Sequence, residues 1–334
     1  MSDELKDSSD SSLITHHLSL ITFFMNIELH AKSDVGRVRR GNEDNFLILD
    51  LTSGRAWTGT DGAEPPEDMC RFELGEKGLV LVVSDGMGGA LAGDVASRMA
   101  VETVREMLIE SEEVEDGSGN DDKSLVDYLR HATVYANLAI HHRSQEDTRC
   151  AGMGATFTGA AIKDGMLDLV QVGDSRAYLM RGQHIKLATK DQSLVQQLVD
   201  VGQISEAEAE THMFRNVILQ ALGAQSELTP VTGKIRIRRG DILLMCSDGL
   251  SGKLRAEDMR RIIEEGENDL AAVCGKLVDE ANERGGEDNI TVVLARFTGD
   301  ELQEPSSERI TIELPPMEED STLGDTEPPT QPNP

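Results

Sequence analysis

Apolar positions along this chain follow two periods. Alternating or continuous apolar runs predict strands over 26–32, 45–50, 78–83, 155–163, 166–173, 176–181, 234–238, 241–246 and 290–297. Spacings of three and four predict a long helix over 92–110, with Val95, Met99, Val101, Val104 and Leu108 recurring at helical positions. A second runs over 124–143, with Leu125, Leu129, Ala132, Ala136 and Ile140 following a Ser124 N-cap. These two should pair, and shorter helices are expected over 256–265 and 269–283. Strands before and after helix pairs, several of them hairpins, predict an α+β fold: a central antiparallel β-sandwich flanked by helices.

Between these elements, residues 51–77 read as a variable loop and 191–222 as an insertion of helical character. In that insertion Gln192 to Val201 ends at Gly202, and Ser205 with Glu208 forms a capping box. The alternative for the insertion is a plain packing pair of helices. Residues 18–25 are apolar over too short a run to span a membrane, and an acidic segment precedes them, unlike a signal peptide. Residues 1–24 are therefore expected to be a disordered extension, with a strand opening just after Met25, which makes Met25 a candidate initiator. Residues 300–334 form the expected disordered tail. From 301 onward the chain holds seven of its ten prolines and nine acids against one Arg, too little apolar surface to offset the cost of ordering.

Composition narrows the partners. The net charge of −29 over 334 residues disfavours nucleic acid or an anionic membrane surface as a general partner, because phosphate-rich surfaces attract cationic proteins, and the short apolar run at 18–25 argues against membrane insertion. Seven of the thirteen residues from Glu110 to Asp122 are acidic, so much of the charge is local. Cys70, Cys150, Cys246 and Cys274 show no zinc spacing, which fits a reduced, cytoplasmic protein.

Five acidic motifs sit where apolar runs begin or end. Gly78 to Val83 leads into Ser84-Asp85-Gly86, and Asp241 to Cys246 leads into Ser247-Asp248-Gly249. Glu43-Asp44-Asn45 and Glu287-Asp288-Asn289 open two further strands, and Asp174 occupies the turn between 166–173 and 176–181. In an antiparallel sheet the ends of some strands lie beside the starts of others, so all five can meet on one edge. Crowded carboxylates repel unless protons or cations intervene, and an all-oxygen donor set suits Mn²⁺ or Mg²⁺. A single Asp-Gly is more often a turn. Here two of them follow buried-looking strands instead of closing two-residue hairpins.

The ordered set Ser33-Asp34-x-Gly36-x-x-Arg39-x-x-Asn42-Glu43-Asp44, Ser84-Asp85-Gly86-Met87-Gly88-Gly89, Gly152-Met153-Gly154-Ala155-Thr156, Val172-Gly173-Asp174-Ser175-Arg176, Ser247-Asp248-Gly249 and Gly286-Glu287-Asp288-Asn289 resembles the metal-dependent protein Ser/Thr phosphatases of type 2C, in their bacterial branch. The resemblance spans roughly residues 26–297 and implies a four-layer α-β-β-α domain over 25–299, with 191–222 as a flap beside the cleft. It implies two divalent ions, Mn²⁺ or Mg²⁺, bridged by Asp85, with the Gly86 carbonyl, Asp248 and Asp288 as further ligands and Glu43 and Asp44 acting through water. A third, weaker ion would be held by Asp174 and Asp248, although an Asp in such a turn can also simply cap its own backbone. Arg39 matches the phosphate-binding position, where a guanidinium fork suits two phosphate oxygens; Arg37 and Arg40 beside it read as solvated charges.

The implied activity is hydrolysis of phosphoserine and phosphothreonine in proteins by a water bridging the two ions, opposing Ser/Thr protein kinases in bacterial signalling, by a monomer. One departure concerns the leaving group: Met87 stands where many eukaryotic relatives carry a His proposed as acid, so no acid acts there. His131, His141 and His142, on a predicted helix, read as surface or structural residues. The alternatives are a catalytically silent binding module, against which Asp85, Asp248 and Asp288 argue, and a small-molecule phosphatase.

Overall fold

Alternation along each strand assigns its side chains to one of three apolar layers in a computed structural model that describes residues 25–59, 65–89, 92–115, 123–266, 269–305 and 310–313. In chain order the strands are β1 (Asn26–Asp34), β2 (Asp44–Asp50), β3 (Arg55–Thr58), β4 (Arg71–Glu73), β5 (Leu79–Met87), β6 (Gly154–Ala155), β7 (Phe157–Lys163), β8 (Met166–Val172), β9 (Arg176–Arg181), β10 (His184–Leu187), β11 (Val231–Arg236), β12 (Ile242–Cys246) and β13 (Ile290–Thr298). The helices are α1 (Glu67–Cys70), α2 (Ala92–Glu115), α3 (Leu125–Glu146), α4 (Leu194–Asp200), α5 (Glu206–Ala209), α6 (Asp248–Ser251), α7 (Ala256–Glu265) and α8 (Leu270–Glu283).

One sheet runs β10-β9-β12-β13-β1-β4 and the other β11-β8-β7-β5-β2-β3, with β6 beside β5. Every pairing between named strands is antiparallel. Leu79, Leu81 and Val83 of β5 face the layer between the sheets, together with Leu243 and Met245 of β12 and Val293, Ala295 and Phe297 of β13. Val80 and Val82 turn the other way, onto the paired helices α2 and α3. Ile290, Val292 and Leu294 of β13 meet α7 and α8 on the far side of the first sheet. Each fully buried Leu, Val or Ile contributes roughly 1.5–3 kcal/mol, and the same period-2 pattern that selects the layers also fixes strand register. The four layers expected are present.

Two expectations are corrected. Residues 51–77, read as loop, contain β3, α1 and β4, short elements with too few residues to establish a period. Residues 301–305 and 310–313, assigned to the tail, are docked: Leu302 and Ile310 are only 3% and 5% exposed in the layer between the sheets. Lys234 of β11 exchanges both backbone hydrogen bonds with Glu313, at 2.8 and 2.9 Å, and Arg239 donates to the carbonyls of Gly299 and Asp300. A few apolar residues in an acidic, Pro-rich context suffice here because they join the apolar layer already built by the two sheets. The expected extension over 1–24, and the tail from 314, lie outside the described residues. Among the described residues no helix is long and apolar enough to cross a membrane.

Candidate active site

Strand register brings the acids together. Asp44 of β2 lies directly across from Asp85 of β5, a like-charge cross-strand pair that destabilises a sheet unless something neutralises it. Asp248 opens α6 at the end of β12, Asp288 immediately precedes β13, and Asp174 follows β8 in the turn to β9. Since β12 and β13 are neighbours, their acids face the β2–β5 pair across the mouth of the sandwich. Asp85 feels the charges of Asp44, Asp248, Asp174 and Asp288, so the convergence expected from the motifs is realised.

The electrostatic consequence is large. Burial, then the neighbouring carboxylates, push Asp85 well above the ordinary carboxylate range. Burial raises Asp44 to about 7 against the lowering effect of the Ser247 hydroxyl, and burial with Asp248 and Asp191 raises Asp174 to about 7. Asp248 is raised chiefly by burial, and lies close enough to Asp85 to share a proton with it. One oxygen of Asp44, Oδ1, is buried with no hydrogen-bond partner, while Oδ2 accepts from Ser247 at 2.7 Å. A buried acceptor left bare costs about 1–3 kcal/mol. A hard cation, or a proton, satisfies it.

The donors around this basin are oxygens only, which fits Mn²⁺ or Mg²⁺ and not the softer metals. Among the described residues no three His, Cys, Asp or Glu side chains close into a ready-made ligand cage. Gly86 brings its backbone to the same place: a Cβ there would lie 2.2 Å from the Gly93 carbonyl. A Cβ on Gly93 would lie 2.0 Å from Glu43 Oε2, so that glycine makes room for the Glu43 carboxylate as well as for helix packing.

Arg39 donates from Nη2 to Asp288 Oδ2 at 2.8 Å and lies 3.8 Å from Glu43. Its side chain is 45% exposed, leaving donors free for an incoming anion. Arg37 and Arg40 are exposed, as the sequence suggested. Met87 lies at the end of β5, beside Gly154 of β6. His141 Nδ1 lies 3.0 Å from the Gly223 carbonyl, pinning the loop before β11, a structural role.

Several residues of the same motifs carry no acidic signal, and their supporting roles are visible only in the structure. Asn289 accepts from the Glu43 N–H and donates to the carbonyls of Val35 and Gly41, so one side chain ties the Arg39 loop to β13. Ser247 accepts from the Thr291 N–H while donating to Asp44. The Thr156 hydroxyl accepts from the Asp85 N–H and meets Ser175 at 2.7 Å. The insertion is fastened to the Asp174 turn: Gly173 and Gln192 bond reciprocally at 2.9 and 2.7 Å, and Arg176 grips Asp191 with a bidentate pair.

A family model described as protein phosphatase 2C matches residues 60–282. The chain is 31% identical over 274 residues to serine/threonine phosphatase stp of Listeria monocytogenes, covering 80% of this chain and 95% of that protein. It is 33% identical over 277 residues to protein phosphatase PhpP of Streptococcus pneumoniae, covering 83% and 100%. A crystal structure of the catalytic domain of serine threonine protein phosphatase PstP, in complex with two manganese ions, superimposes with a TM-score of 0.63 at 30% identity, over 82% of this chain and all of that one.

Proposed function

This chain belongs to the protein phosphatase 2C family, and from that premise we propose that it removes phosphate from phosphoserine and phosphothreonine in proteins, with Mn²⁺ or Mg²⁺ as cofactor. The observation that carries the proposal is the meeting of Asp44, Asp85, Asp174, Asp248 and Asp288 at one mouth of the sandwich, beside an exposed guanidinium. Asp85, Asp248, Asp288 and the Gly86 carbonyl would hold the principal ions and Asp174 with Asp248 a weaker third, with Glu43 and Asp44 supporting them through water. When bound, such ions acidify water and draw in phosphoryl oxygens.

The chain's own residues do the rest. Arg39, steadied by Asp288, presents its remaining donors to two phosphate oxygens. Ser247 and Thr156 fix Asp44 and the Asp85 backbone in place, so little reorganisation accompanies binding. Met87 offers no proton, so the leaving alkoxide takes its proton from elsewhere. The reaction opposes Ser/Thr protein kinases in bacterial signalling, in the cytoplasm, and the enzyme works as a monomer.

The test is hydrolysis of phosphopeptides by the full chain. EDTA should stop the reaction and Mn²⁺ restore it. Asp85→Asn or Asp248→Asn should lower turnover by more than roughly a hundredfold, the upper range even for outer ligand-supporting residues, while circular dichroism stays that of the wild type. A well-folded Asp85→Asn protein with near-normal turnover would remove Asp85 from the site.

A further inference from the structure

The chain carries 61 acids against 32 basic residues, yet cations without partners gather beside its catalytic acids. Residues 35–41 form a loop whose two ends are tied by one side chain, since Asn289 Nδ2 donates to the carbonyls of both Val35 and Gly41 at 2.9 Å. Gly36 seats the loop's near side: at φ +76° it approaches so closely that a Cβ would lie 2.2 Å from the Asp288 carbonyl. Arg37 donates its backbone N–H to Gly286 at 2.7 Å, and its side-chain Cγ passes over the same glycine. The loop is therefore held in shape before any substrate arrives, and its tip, residues 37–40, is exposed.

At that tip Arg39 alone has a side-chain hydrogen bond or ion pair among the described residues. Arg37 and Arg40 have exposed side chains that make no hydrogen bond or ion pair among the described residues. Across the 286–288 turn, Arg215 of the flap is likewise exposed and without a direct partner, while lying near enough to Glu287 to help hold its carboxyl down. Lys253 pairs with Glu287 and Arg39 with Asp288, so the acids of this turn already have partners. In a protein so rich in carboxylates, three arginines left unpaired around one opening is not the distribution that general solubility favours. The overall negative charge does not cancel them, because at physiological salt exposed charges are screened beyond about 8 Å. A bound peptide meets the nearby rim first.

Resting on the phosphoprotein reading above, we infer that Arg37, Arg40 and Arg215 form a cationic rim that selects substrates in which acidic residues flank the phosphorylated Ser or Thr. Arg39 takes the phosphate, and its neighbours, projecting from the same clamped loop, reach the residues on either side. Lysine- or arginine-flanked sites meet like charge there, which gives discrimination by repulsion as well as attraction.

The experiment compares kcat/KM of the full chain with Mn²⁺ on three phosphothreonine peptides that differ only in Glu, Ala or Lys at the flanking positions. The wild type should favour the Glu peptide over the Lys peptide by roughly tenfold, as a few exposed charge pairs allow. The preference should shrink as NaCl rises from about 0.05 M to about 0.5 M. Arg37→Glu with Arg40→Glu should reverse the order of the peptides, whereas Arg105→Glu, an equal kind of charge change on an exposed position of α2, should keep the wild-type order. Equal kcat/KM on all three peptides, or a double variant that retains the wild-type order, overturns the rim and leaves phosphopeptide hydrolysis standing. A wild type that cleaves none of the peptides while the Mn²⁺-dependent hydrolysis of p-nitrophenyl phosphate proceeds overturns both readings.

Discussion

At the scale of single residues, the acids of the site act as proton stores. Asp44 and Asp174 titrate at about 7 in the folded protein, against an ordinary value of 3.8, so between these limits the folded chain holds more protons than the unfolded one. Stability from this source is complete below the lower value and is lost as pH rises through the upper one. A tenfold gain in a carboxylate's proton affinity is worth about 1.4 kcal/mol, enough to see by melting. Protein treated with a chelator should therefore melt at a lower temperature at about pH 8 than at about pH 5. Added Mn²⁺ should raise the melting temperature more at the higher pH, where fewer protons compete for the same oxygens. Scanning calorimetry checks both, and a chelated protein that grows more stable across that range contradicts the electrostatic picture. The acids themselves were legible in the sequence because each stands beside Gly or Asn at a strand terminus. Asn289, Ser247, Thr156 and Ser175 were not legible as supports, since their partners lie far along the chain, Asn289 and Glu43 being 246 positions apart, and Ser, Thr and Asn are common in loops.

At the scale of elements, the turn between β8 and β9 is the piece whose role most needs measuring. The helical insertion behind it holds Gly173 through Gln192 and Arg176 through Asp191, so the turn has fastenings beyond the hydrogen bond that the Asp174 carboxylate accepts from its own backbone N–H. Asp174→Ala should then melt near the wild type while losing one weak Mn²⁺ site and much of its turnover. Calorimetric titration decides the matter: equal numbers of weak sites in both proteins, with lower stability in the variant, would make Asp174 a turn residue. The long helices α2 and α3, and α7 and α8, were readable to within a few residues at most ends because a 3.6-residue apolar stripe runs through each. β10, with no fully buried residue among its four, and β3 and β4 offered no such pattern. These edge strands are specified by the neighbour they pair with, which is information the local sequence does not hold.

At the scale of the whole molecule, the segment after β13 closes the sandwich. Leu302 and Ile310 fill the layer between the sheets, Lys186 Nζ donates to the Ile310 carbonyl at 2.8 Å, and residue 313 covers part of the outer edge of β11. Leu302→Ala should cost about 2–5 kcal/mol, as other buried leucines do. A chain ending at Thr298 should melt lower still and tend to self-associate through the uncovered β11 edge. Chemical denaturation and light scattering would check the two effects, and an unchanged midpoint for Leu302→Ala would show that the segment rests on the surface without stabilising it.

The pairing of β1 with β13 along its full length, from Asn26↔Thr298 to Asp34↔Ile290, also governs what happens while the chain is being made. A ribosome adds about 5–20 residues per second, so the opening strand waits many seconds for the partner that lies beside it in the sheet. Until then Glu43 lacks the Asn289 amide that positions it, and Asp288 has not been synthesised. The nascent chain can assemble β2, β5, β7 and β8 early, but the catalytic mouth is drawn from both extremes of the domain and comes into being only when translation has passed them. On the proposed site, hydrolysis begins only with the completed domain, because a ribosome stalled before Asp288 displays a chain that lacks one of the proposed ligands.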